Sequence, residues 1–128
     1  MPTANLNRKQ VEVNDGLDSI VIVKDLGDIP GGRSLDVSGV ASDVEYLRSG
    51  HILVKNDTDN SVSPLGVSAG AYVALPSGHS YLGVLKASIP VKDARAAILT
   101  VGQVNAAASP YPVTAEIKAG LPNIQFLY

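Results

Sequence analysis

The sequence predicts a mainly β fold, a compact sandwich- or barrel-like body with one short C-terminal helix and an extended N-terminal arm. Three observations carry that prediction. Twelve Gly and eight Pro are spread along the 128 residues and cut the chain into short segments. Those segments are rich in Val and Ile, with Leu and Ala also common, which is the punctuation of strands and tight turns. Only the stretch from Pro112 to Leu121 carries both start and stop signals for a helix.

The arm, residues 1–13, comes first in the chain. It is polar from Asn5 to Gln10 and carries Arg8 and Lys9, and Val11 and Val13 flank Glu12. Gln10-Val-Glu-Val13 can add as a strand to an exposed sheet edge, where main-chain hydrogen bonds supply affinity. A frayed terminus is the alternative. Asn5, Asn7, Arg8, Lys9, Val11 and Val13 are therefore the candidate contacts of the arm. Residues 14–128 form a single domain, since the length bounds the chain to one domain and 45% hydrophobic content supports an ordinary core.

Eight strands are expected: Gln10 to Val13, Ser19 to Lys24, Arg33 to Val37, His51 to Lys55, Ala71 to Leu75, Tyr81 to Ile89, Ala96 to Val104 and Asn123 to Leu127. Asn14-Asp-Gly16, Pro30-Gly-Gly32, Asn56-Asp-Thr-Asp-Asn60 and Pro76-Ser-Gly78 place φ-tolerant or φ-fixed residues between apolar runs, so each reverses the chain. Asp93 to Thr100 has some helical propensity, but its β-branched and small residues favour a buried strand.

The helix is expected to begin at Pro112, which suits a first turn. Val113, Ile117 and Leu121 recur at i, i+4 and i+8, Gly120 can take a left-handed cap, and Pro122 forbids continuation. A helix so short must dock its apolar stripe on a sheet. In the following strand Ile124, Phe126 and Tyr128 alternate onto one face. Ile117, Leu121, Ile124, Phe126 and Tyr128 are thus candidates for the core or for an oligomer seam.

Several function classes are disfavoured by composition. Charged residues are 17% and the net charge is −2, so there is no basic footprint for nucleic acid. Cys is absent, which removes disulfides, thiolate catalysis and Cys-based zinc sites. No segment has the apolar length of a membrane helix, and Met1 to Gln10 lacks a signal-peptide core, so a soluble chain made inside a cell is expected.

Each candidate chemical motif lacks a part. Gly66-Val-Ser-Ala-Gly70 matches the G-x-S-x-G elbow of serine hydrolases and would make Ser68 a nucleophile. The elbow needs a strand-to-helix turn and then an acid followed by a His, whereas here the order is Ser68, His79, Asp93 and the following run is β-like. His51 and His79 sit in an internal echo, Ser49-Gly-His51 and Ser77-Gly-His79, but zinc needs three or four ligands and nothing nearby supplies the rest. Asp57-Thr-Asp-Asn-Ser61 has oxygens at alternate positions, yet Val62 and Ser68 stand where a calcium loop needs Gly and Glu. Asn56-Asp-Thr58 fits a glycosylation sequon that lacks a secretory route. Gly27, Gly31, Gly32 and Gly39 make no nucleotide fingerprint, and Asp43 and Glu45 form no evident acid/base couple. The chain is expected to be no enzyme and to hold no cofactor or metal.

Pro30-Gly-Gly-Arg-Ser-Leu-Asp-Val37, Ser49-Gly-His-Ile-Leu-Val54, Leu75-Pro-Ser-Gly-His-Ser-Tyr-Leu-Gly-Val84 and the run from Val104 to Pro122 resemble tailed-bacteriophage head proteins of the capsid decoration or head-fibre-base type. The resemblance covers most of the chain from about residue 30. It implies a structural virion protein, a homotrimer seated on the exterior of an icosahedral capsid after synthesis in the host cytoplasm. Its partner would be the major capsid protein, whose subunits it would bridge through the N-terminal arm, and a separate fibre protein is a further partner. With no evident fibre extension after Tyr128, the resemblance implies decoration, or else the base of a head fibre. The rival expectations are a host-surface or glycan-binding module, which a pocket lined by Tyr46, Tyr72 or Tyr81 would favour, and a small serine hydrolase.

Overall fold

The structure, a computed structural model, describes residues 18–40 and 42–127. The expected strand at Gln10 to Val13, the turn at Asn14 to Gly16, the arm contacts Asn5, Asn7, Arg8, Lys9, Val11 and Val13, and Tyr128 lie outside the described residues. The fold is mainly β, with one short helix near the C-terminus.

In chain order the elements are α1 (Asp18–Val21), β1 (Ile22–Asp28), β2 (Arg33–Ser34), β3 (Tyr46–Leu47), β4 (Ile52–Asn56), β5 (Val62–Pro64), β6 (Val67–Ser68) and β7 (Ala71–Tyr72). They continue with β8 (His79–Leu85), β9 (Ile89–Pro90), β10 (Arg95–Ala96), β11 (Ile98–Asn105), α2 (Ala115–Gly120) and β12 (Ile124–Leu127). Single 3₁₀ turns occupy Val91–Asp93 and Ala106–Ala108.

The main sheet runs β1-β11-β8-β4-β5, with β12 joined to β11. β11 organises it. Its Leu99 faces Asp28 of β1 on one side and Val84 of β8 on the other, while its Gly102 faces Asp25 of β1 and Ile124 of β12. β8 and β12 therefore share one edge of β11, β8 antiparallel at its start and β12 parallel at its end. Three further two-stranded pairs, β10-β2, β3-β9 and β6-β7, flank this sheet.

The centre of the sheet is buried on both faces, which explains why its strands are apolar runs rather than alternations. One face carries Ile52, Val54, Val84 and Leu99 and packs against Val21, Leu65, Tyr72, Ile117, Leu121 and Ile124. The other carries Leu53, Leu85 and Ile98 and packs against Leu35, Leu47, Val62 and Ala96.

Several expected strands shorten or shift for local reasons. The segment expected to be extended from Ser19 starts as the single-turn helix α1, which places Val21 in the core at 1% exposure, and the strand begins at Ile22. Beyond Ser34, only Leu35 makes a bridge, to Val62, and the Asp36 carboxylate then accepts the Ser38 N–H and turns the chain. The run from Tyr81 to Ile89 divides after Leu85: Lys86 still donates its N–H to Ala97 O, but Ile89 crosses to pair with Leu47. The strand reading of Asp93 to Thr100 holds: after the 3₁₀ turn, β10 and β11 follow.

The helix departs from expectation at both ends. It starts at Ala115, after Pro112, because Thr114 caps it by accepting the Ile117 N–H at 3.3 Å. Gly120 is not left-handed; the residue that closes the helix is Leu121, at φ −123° and ψ 66°. Glycine is required at 120 for a different reason, since a Cβ there would lie 2.2 Å from Tyr81 Cδ2.

Candidate functional site

The Gly66 to Gly70 elbow is a β-hairpin. Val67 pairs with Tyr72 and Ser68 with Ala71, and the two-residue turn between them holds Ala69 at φ 53° and Gly70 at φ 77°. Two successive positive φ values are what a type I′ hairpin turn requires. Ser68 is exposed and precedes a strand, so the strand-to-helix geometry of a nucleophile elbow is not present at this serine.

The Asp57 to Ser61 segment closes the β4-β5 turn upon itself. Asn56 Oδ1 accepts the Thr58 N–H and Asp59 Oδ1 accepts the Ser61 N–H, each at 2.9 Å, and the Asp57 carboxylate accepts the Ser80 hydroxyl. Those bonds from Ser61 hold the Asp59 carboxyl below its ordinary pKa. Among the described residues no group of three or more His, Cys, Asp and Glu is placed to hold a metal ion. Among the described residues no helix is long and apolar enough to cross a membrane.

The two histidines of the sequence echo occupy different settings. His79 is half-buried at the start of β8, with Nδ1 3.1 Å from Ser77 O. His51 is buried at the start of β4, where the Ser49-Gly50 turn delivers the chain into the core. Ser49 Oγ donates to Lys86 O at 2.9 Å, its N–H donates to Ser88 Oγ at 3.0 Å, and the Gly50 N–H donates to Leu85 O at 2.8 Å. Gly50, at φ 95°, cannot carry a side chain because a Cβ would meet Val21 Cγ1 at 2.8 Å.

His51 stands 2.9 Å from Leu65 O through Nε2. A carbonyl only accepts, so Nε2 carries the hydrogen and Nδ1 carries the lone pair when the ring is neutral. Burial pushes the pKa of this imidazole down, against a smaller opposing effect of the Leu65 bond. The ring sits edge-to-face with Tyr72 and Tyr111, at 5.3 and 5.8 Å, and those two rings meet each other at 5.3 Å. Tyr72 accepts the Ile52 N–H through its hydroxyl, and burial pushes its pKa up.

Above this aromatic trio opens a groove of about 350 Å³. Tyr46, Leu47 and Arg48 come from β3 and its end, Pro64 to Val67 from the β5-β6 connection, Pro110 and Tyr111 from the segment before α2, and Val40, Asp43 and Val44 from the loop before β3. Tyr46, Val44 and Val67 are exposed there, at 44%, 37% and 37%. Of the three tyrosines expected for a binding pocket, Tyr46 lines the groove, Tyr72 lies against His51, and Tyr81 packs under Gly120. Tyr111 is the lining aromatic that the sequence did not single out.

The four described C-terminal candidates pack in or against the chain's own core. Ile117, Leu121 and Ile124 are all in the first core, and Phe126 packs against it half-buried. Further large apolar side chains are exposed elsewhere: Ile20, Val23 and Leu26 on α1 and β1, and Val101 on β11, at 48%, 46%, 61% and 36% exposure. The β1-β11 register shifts around both Val23 and Leu26, so each sits at an irregularity of an edge strand.

No protein-family description, no curated protein and no solved structure matches this chain.

Proposed function

We propose that this chain is a structural subunit of a phage head, a decoration protein that works as a homotrimer on the capsid exterior and bridges neighbouring major capsid protein subunits without catalysis. The sequence resemblance suggests that role, and the exposed apolar side chains Ile20, Val23, Leu26 and Val101 on α1, β1 and β11 support the associative part of it. Exposed apolar surface of this kind, where the side chains adjoin, marks a face that meets a partner.

The resembling motifs support the same reading through what they do. Ser49 and His51 fix a buried turn, Gly32 lies so close to Ala96 O that a Cβ would approach it to 2.4 Å, and Gly120 admits the Tyr81 ring. Ser49, Gly32 and Gly120 thus serve packing, as suits a scaffold. Ser68, in its hairpin, supplies no support for the hydrolase reading.

Light scattering of the full chain and co-sedimentation with empty shells of a major capsid protein test the proposal. A trimer that pellets with shells is expected, and a chain lacking residues 1–10 should stay folded but pellet less. A monomer at high concentration that remains in the supernatant would overturn it.

A further inference from the structure

We propose that the groove above His51 binds a neutral, hydroxyl-rich ring, the terminal sugar of a glycan. Its volume of about 350 Å³ is at the lower end of small-ligand sites, which run from roughly 300 to 1,000 Å³, and so fits one or two rings rather than a folded partner.

The floor of the groove determines the ligand's chemistry. His51 is 6% exposed, and its side-chain hydrogen bond is made through Nε2 to Leu65 O. Among the described residues every fully buried side-chain nitrogen or oxygen has a hydrogen-bond partner. Nδ1, which has none, therefore reaches the open space of the groove that His51 lines. A neutral imidazole nitrogen with its lone pair outward asks for a donor.

The walls narrow the choice further. Asp43 adds a carboxylate acceptor, and with Arg48 also in the lining the formal charges of the groove cancel. An ionised phosphate or carboxylate oxygen brings no hydrogen to share with the outward lone pair of His51, whereas a hydroxyl does. Tyr46, 44% exposed, offers an aromatic ring, and Pro64 and Val67 add apolar lining. A sugar ring has an apolar C–H face for such walls and hydroxyl donors for the acceptors, and its remaining hydroxyls stay in water at the open side. This inference does not rest on the capsid proposal, because a chain can bind sugars with or without binding shells.

The test is a titration of the full chain, labelled at the His ring nitrogens and Val methyls, with glucose, galactose, N-acetylglucosamine and their methyl glycosides. At least one sugar should shift the His51 Nδ1 signal and the Val67 methyls saturably and leave His79 unmoved. Tyr46→Ala should weaken that binding about tenfold, the loss of one aromatic contact. Asp43→Asn, an exposed change, should weaken it as well, and unchanged methyl spectra of the two free variants would establish that they fold. The proposal is overturned if no sugar moves His51, if both variants bind as well as the parent, or if only inorganic phosphate produces the shift.

Discussion

Gly120 and Tyr81 touch so closely that the ring occupies the place of a Cβ: an added carbon would stand 2.2 Å from Cδ2, 2.8 Å from Cε2 and 3.2 Å from Cγ. This contact joins α2 to β8 and so helps to fasten the helix over the first core. In an exposed helix Ala is better than Gly by roughly 1 kcal/mol. Here the order should reverse, with Gly120→Ala destabilising by about 1–3 kcal/mol through overpacking. Urea denaturation measures the loss, and adding Tyr81→Ala to Gly120→Ala should cost less than the two single changes summed.

Ala69 gives the opposite case. It holds φ 53° at the first position of the β6-β7 turn, a conformation that costs an L-residue with a Cβ roughly 1–2 kcal/mol. Ala69→Gly removes the cost and gives back part of it in chain entropy. A net gain of about 0.5–1 kcal/mol is expected, visible as a raised Tm, and a lower Tm would count against the I′ assignment.

His51 makes stability depend on pH with a definite sign. Its folded pKa lies below the ordinary 6.5 because burial disfavours the cation. On acidification the unfolded chain takes up this proton first, so the stabilising contribution is complete above about pH 6.5 and declines as pH falls through the window down to the folded value. Denaturation midpoints at about pH 7.5 and pH 5 should differ accordingly, with a slope no steeper than ~1.4 kcal/mol per pH unit for this single group. A His51→Gln chain should be less stable at neutral pH and should lose that part of the slope.

Lys86 binds β8 to β1 across the end of β11, meeting the carboxylates of both Asp25 and Asp28. All three side chains are partly exposed, at 23%, 34% and 43%, so solvent screens the bridge. Lys86→Ala is expected to cost about 0.5–1 kcal/mol at low salt, and the difference should shrink towards zero near 1 M salt. A salt-independent loss would assign the effect to packing of the lysine stem instead.

The long strands were legible in the sequence because burial on both faces leaves apolar runs such as Ile52-Leu-Val54 and Ile98-Leu99. The two-residue strands β3 and β6 were not, since pairing makes them extended and two residues show no period. At Gly120 the sequence suggested a left-handed cap, which the structure does not have; the glycine makes room for a ring arriving from residue 81, which leaves no local trace. The paired Ser-Gly-His motifs were visible as turns, yet nothing local told that His51 would be buried and His79 half-exposed. The groove was hidden for a similar reason: Tyr46, Pro64 and Tyr111 meet only after the β3, β5 and pre-helix segments converge. The tyrosine criterion found one of its two aromatics.

A sheet that is oily on both sides has an ambiguity that an amphipathic sheet lacks. On such a sheet burial constrains the alignment of β8 less tightly than it would on an amphipathic one, where a one-residue slip exchanges the two faces outright. Gly83 does select it. A Cβ there would stand 2.3 Å from Leu99 O and 3.0 Å from Ile98 Cγ2, so only a residue without a side chain can occupy that crossing. Gly83→Ala should therefore do more than lower the midpoint: the chain should settle into several alignments, with duplicated amide signals along β4, β8 and β11. The strand alignment of this domain is thus encoded by an atom the chain leaves out.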